Sequence, residues 1–146
     1  MIADLIARLS RPADTAPLAP ADARLALAAL MVRAARSDGD YAEAERAEIL
    51  AVLADRHLLS AAEAGRLLTE AEAVEARAPD SERFTRAIKN AVPYEERADV
   101  LEALWRVALA DGTRDPHEDA LIRQLSALLG VADRDSALAR RRASEG

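Results

Sequence analysis

Three features of the 146-residue sequence predict an all-α fold. Half of the residues are apolar, and Ala and Leu supply most of them against one Phe, one Trp and two Tyr, a palette that favours helices over strands. Apolar positions recur every three or four residues in each periodic segment and nowhere alternate. Pro79, Pro93, Pro116 and Gly130 stand where one such segment stops or the next begins. A chain of this length forms one domain and buries about 70 % of the surface its unfolded form exposes. The expectation is a single domain of about seven or eight helices.

Ile2, Leu5, Ile6 and Leu9 lie at i, i+3, i+4 and i+7, so residues 1–10 read as a short amphipathic helix expected to dock on its own domain. "RPADTAPLAP" is a proline-punctuated linker over residues 11–20. The helical domain is placed at 21–135, followed by a basic, solvated tail at 136–146.

Within that domain, Asp22 caps a helix to Arg36 whose face is Leu27, Leu30, Met31 and Ala34. A second helix, 42–56, buries Ile49, Val52 and Leu53. Ser60 and Glu63 form a capping box for a third, stopped by Pro79. Asp80 opens "DSERFTRAIKNAV", with Phe84, Ile88 and Val92 turned inward. Pro93 suits a first helical position, and the helix behind it runs to about Ala110 through Val100, Leu101, Leu104 and Val107. Asp115, Pro116 and Glu118 open the next as cap, first-turn proline and box partner, with Ile122, Leu125 and Leu129 as its face and Gly130 as its end. Asp133 starts a last helix that frays into "ARRRASEG".

Composition narrows function. Cysteine is absent, which removes disulfides, thiolate nucleophiles and thiol redox chemistry. Any metal needs oxygen or histidine ligands. Twenty-six acidic residues against twenty basic ones set a net charge of −6, a field that repels phosphate backbones and argues against nucleic acid. No apolar run is long enough to span a bilayer and no secretory leader is legible, so a cytoplasmic location is expected.

One corner is written twice. "AARSDGDYAEAERAEI" at 34–49 and "ALADGTRDPHEDALI" at 108–122 each end an apolar stripe in Asp-Gly and place a Glu before the next stripe. Asp111 minus Asp38 is 73, as is Glu118 minus Glu45, and the same offset pairs Ala35 with Ala108, Gly39 with Gly112 and Ile49 with Ile122. Each unit therefore reads as a helical hairpin, two copies related by pseudo-symmetry. Asp38 and Asp111 prolong the stripe of the helix before the corner, while Glu45 and Glu118 begin that of the helix after it, so all four point inward.

Two explanations compete. Gly39 and Gly112 suit left-handed helix ends, Glu118 suits the partner of an Asp115 cap, Asp40 with Glu43 suits a box in the first unit, and Arg36, Arg46 or Arg123 could neutralise the remaining charge. That leaves Asp38 and Asp111 unexplained, because a carboxylate at a helix C-terminus opposes the macrodipole. A hard divalent cation, calcium or magnesium, instead accounts for gathered carboxylates, with Asp38, Glu45, Asp111 and Glu118 as ligands. "DGDYAEAE" is not an EF-hand, since its ligand series and glycine position differ.

The segments "LALAALMVRAARSDGDYAEAERAEI", "RFTRAIKNAVPYEERADVLEALWRVALADG" and "HEDALIRQLSALLGV" resemble the TerB-like family, the helical module of tellurite-resistance operons and related bacterial stress proteins, over residues 20 to 135. The resemblance implies two pseudo-symmetric helical units, no established catalysis, and a divalent-metal site at positions matching Asp38, Glu45, Asp111 and Glu118. It also implies protein partners in a membrane-associated stress complex. One departure is Ala42, which stands where relatives carry a capping polar residue and aligns with Asp115.

Three functional classes follow: a metal-responsive interaction module, a plain helical scaffold without ligand, and a metal-dependent hydrolase. The hydrolase is weakest, since His57 and His117 are the only histidines, His57 suits a dipole contact at a helix end, His117 suits a solvated first turn, and no Ser, His and Asp have triad spacing. Tellurite reduction would want thiols or a redox cofactor, and neither a cysteine nor a dinucleotide loop is present. Trp105 reads as a packing residue.

Overall fold

The computed structural model describes residues 20–37, 39, 41–110 and 116–145. The N-terminal helix read from the sequence and linker residues 11–19 lie outside them, while Pro20, read as the linker's last residue, opens the first helix. Seven helices are present and no strand occurs among the described residues: α1 Pro20–Arg36, α2 Glu43–His57, α3 Ala61–Arg77, α4 Glu82–Ala91, α5 Tyr94–Ala108, α6 Pro116–Leu128 and α7 Asp133–Glu145. None of them is long and apolar enough to cross a membrane.

α1 is the axis of the bundle. From Leu25 to Ala35 every residue except Arg33 is buried, so this helix is apolar around its circumference and not along one face alone. It packs against α2, α3, α4, α5 and α6, and its alanines let those neighbours approach closely. The pseudo-symmetry is visible in burial: Met31 and Leu104, Ala34 and Val107, and Ile49 and Ile122 are fully buried pairs. α1 with α2 and α5 with α6 form the two hairpins, and α1 packs directly on α5.

Most local signals act as read, with small shifts. Asp22, read as the cap of the first helix, is instead its third residue, since α1 starts at Pro20, a proline that suits a first turn. The Glu63 N–H donates to Ser60 Oγ at 3.1 Å and the Ser60 N–H donates to Glu63 Oε1 at 2.9 Å, a reciprocal box that satisfies two orphan donors. Asp80 Oδ1 accepts from the Glu82 N–H at 3.0 Å and starts α4 two residues later than expected. Pro93 has extended ψ and sits one residue before α5 instead of inside it. Gly130 follows α6 with a φ of +72°.

The C-terminal segment differs from the sequence reading. Residues 136–145 continue α7 where a solvated tail was expected, and α7 packs extensively along α5. The seam is Ala139 and Ala143, one turn apart and buried, too short an apolar stripe to register among seven charged neighbours in "DRDSALARRRASE". Arg142 pairs with Glu102 of α5 at 2.6 Å, and of the arginine run Arg140 is half-buried while Arg141 and Arg142 are exposed.

Candidate functional site

The first corner begins where α1 ends at Arg36. Ser37 Oγ donates to the Ala34 carbonyl at 2.7 Å, and the Gly39 N–H donates to the Arg36 carbonyl at 3.0 Å. Gly39 has a φ of +84°, a backbone state that glycine alone adopts without cost. Tyr41 lies half-buried beneath the Arg36 guanidinium, 5.4 Å from its ring centroid, and burial followed by the neighbouring Glu72 carboxylate pushes its hydroxyl above the usual range.

α2 then starts at Glu43 with Ala42 as its cap residue. Ala42 has no side-chain acceptor, but its N–H donates to Glu45 Oε1 at 3.1 Å, which is the return half of a capping box. Glu45 is the third residue of α2 and is fully buried. Glu118 is the third residue of α6 and is 2 % exposed. The first residues of the two helices, Glu43 and Pro116, are again 73 apart (116 − 43), so Glu45 and Glu118 stand in register, and Glu43 is an exposed first-turn residue.

The structure thus places two of the four sequence-predicted acids, Glu45 and Glu118, in matched buried positions. Asp38 and Asp111 lie outside the described residues, as do Asp40, Gly112 and Asp115. Among the described residues no three His, Asp or Glu side chains are gathered to hold a metal ion.

Among the described residues, the arginines read as possible neutralisers of the corners have the following surroundings. Arg36 Nη1 meets Glu75 Oε1 at 2.6 Å, Arg46 Nε meets Glu72 Oε2 at 3.3 Å, and Arg123 lines a cleft beside α7. Glu75, 9 % exposed, also receives Arg33 Nε at 3.0 Å, and Arg33 donates further to the Glu75 and Ala78 carbonyls and to Ser81 Oγ. Arg33 thereby closes the C-terminus of α3 while its guanidinium lies 5.6 Å from the Phe84 centroid. This buried ion network borders the first corner and was not legible in sequence, where an arginine inside an apolar helix carried no signal of its partner.

His57 also departs from expectation. It ends α2, but burial first, then Arg24 and Arg56, hold its pKa down to about 4, so it is neutral and contributes no charge to the helix dipole. His117 is exposed on the first turn of α6. Trp105 is a core residue as read, 3 % exposed, with Arg140 5.0 Å above its ring.

No curated protein and no solved structure gives a match to the chain. The family described as tellurite resistance protein TerB matches residues 24–141, a span that starts in α1, contains both hairpins and ends within α7. With a family match across most of its length, two helical hairpins in register and a buried glutamate opening the second helix of each, this chain belongs to the TerB family.

Proposed function

We propose that this chain is a non-enzymatic cytoplasmic module of bacterial stress response, which takes up a divalent cation at its paired acidic corners and acts through protein–protein assembly, including with a membrane-associated complex. The observation that supports the reading is the burial of Glu45 and Glu118 at equivalent places in the duplicated hairpin. Carboxylate oxygens at matched points are the donors that calcium or magnesium takes. Asp38 and Asp111 are the further donors that such a shell would draw on, with water or backbone carbonyls completing it. The non-enzymatic part rests on chemistry: the chain has no cysteine, His57 is held neutral at a helix end far in sequence from His117, and no nucleophile and base share a motif.

A plain scaffold without ligand is the second reading, favoured by the hydrogen bond from the Ala42 N–H to Glu45 Oε1, which gives that carboxylate a capping role. Thermal melts separate the two. A cation at a hundredfold excess over its dissociation constant adds about 2.7 kcal/mol, or about 5 to 11 °C for a domain of this size. Under the metal reading the parent gains this with calcium or magnesium and loses it in chelator, while the double variant Asp38→Asn, Asp111→Asn does not respond. Equal melting of the parent with calcium, magnesium, manganese and chelator would establish the scaffold.

A further inference from the structure

A cleft of about 340 Å³ opens between α5, α6 and α7, lined by none of the four acids read as metal ligands. Trp105 forms its floor, Arg123 and Ser126 come from α6, and Asp133, Ser136 and Arg140 come from α7. Arg123 and Arg140 have no carboxylate within ion-pairing distance among the described residues, whereas Arg33, Arg36, Arg46, Arg106 and Arg142 all do. Two arginines with no ion pair among the described residues therefore line one cavity, in a chain whose net charge is −6. The Trp105 ring holds Arg140 at 5.0 Å by cation–π attraction, which places the guanidinium beside the cleft.

A second observation comes from the floor of the cleft. Trp105 is 3 % exposed, and its buried Nε1–H has no acceptor. That N–H is closed off from solvent, so the donors the cleft itself offers are the guanidinia and the serine hydroxyl. The Ser136 hydroxyl, half-buried, likewise has no partner among the described residues, whereas Ser126 Oγ is engaged with the Val131 carbonyl at 3.4 Å.

We infer that this cleft binds a small phosphomonoester with a hydroxyl-bearing body. Two guanidinium forks and a serine hydroxyl offer more donors than the two oxygens of one carboxylate can use, while the terminal oxygens of a phosphoryl group accept them all. Asp133 at the rim opposes a second anionic group and can accept only from a donor, which selects a neutral, hydroxylated body. The volume suits a ligand of that size and not a polymer. The inference is independent of any metal at the corners.

Trp105 is the chain's single tryptophan, so its emission reports this cleft alone. The full chain is titrated with glucose 6-phosphate at constant ionic strength, with glucose, inorganic phosphate, citrate and sodium chloride in parallel. The expected result is a saturable change with glucose 6-phosphate, weaker binding of inorganic phosphate, and no saturable change with glucose, citrate or chloride. Arg123→Gln, an exposed position, should weaken binding by about tenfold or more, and Arg141→Gln, on the exposed side of α7, should leave it unchanged. A response to citrate equal to that of the sugar phosphate, an equal response to inorganic phosphate, an unaltered Arg123→Gln titration or the absence of any saturable change would each overturn the proposal.

Discussion

The Arg33 guanidinium and the Glu75 carboxylate, 42 residues apart in sequence, meet at 3.0 Å with both side chains largely removed from water. Arg33 contributes a charge partner and a helix cap at once, since it also donates to the Glu75 and Ala78 carbonyls at the end of α3. Breaking a buried pair leaves an uncompensated charge, which costs about 3 kcal/mol or more. Arg33→Ala should therefore lower the melting temperature by about 10 °C, a domain of this size losing about 3 °C per kcal/mol. Arg36→Ala removes a partner that is 37 % exposed and should cost about 1 kcal/mol or less. Equal losses from the two variants would contradict the hierarchy seen in the contacts.

Leu58 follows α2 with a φ of +54° and is 91 % exposed. Its backbone N–H and that of Leu59 both return to the Ala54 carbonyl, so the left-handed turn closes the helix although the residue is not glycine. The left-handed state costs about 1 to 2 kcal/mol for a residue with a Cβ, and the added unfolded-state entropy of glycine takes back about 0.5 to 1 kcal/mol. Leu58→Gly should raise stability by about 0.5 to 1 kcal/mol, read as a higher urea midpoint at unchanged slope. Leu58→Ala keeps the strain and should change little.

His57 makes stability depend on pH. Its folded pKa of about 4 lies below the unfolded value of about 6.5, so between these values the unfolded chain binds the extra proton. The stabilisation is present above about pH 6.5 and is lost progressively as pH falls toward 4. In His57→Gln that component disappears, and the melting temperature should fall less between pH 7 and pH 4.5 than in the parent. Parallel curves for parent and variant would show that His57 titrates normally.

Much of the fold was legible because its signals are local. The Ser60 and Glu63 box joins residues three apart, Gly39 and Gly130 mark left-handed turns, and Phe84 and Ile88 keep helical spacing inside a ten-residue helix. Duplication was legible from the 73-residue offset, and with it the inward placement of Glu45 and Glu118, since a residue one turn before a buried isoleucine shares its face. The remainder of the candidate site, Asp38 and Asp111, belongs to positions beyond those described.

Sequence alone determined the helical class, the hairpin repeat and most helix ends, because hydrogen bonds and capping act within about four residues of chain. Tertiary structure decided which helix would be central, what Arg33 would pair with, that His57 would lose its charge and that Ala139 with Ala143 would seat α7 on α5. Each of these depends on a partner from another helix. A side chain's burial and charge state follow from the groups that packing brings against it, and the period of its own helix names only the direction in which it points.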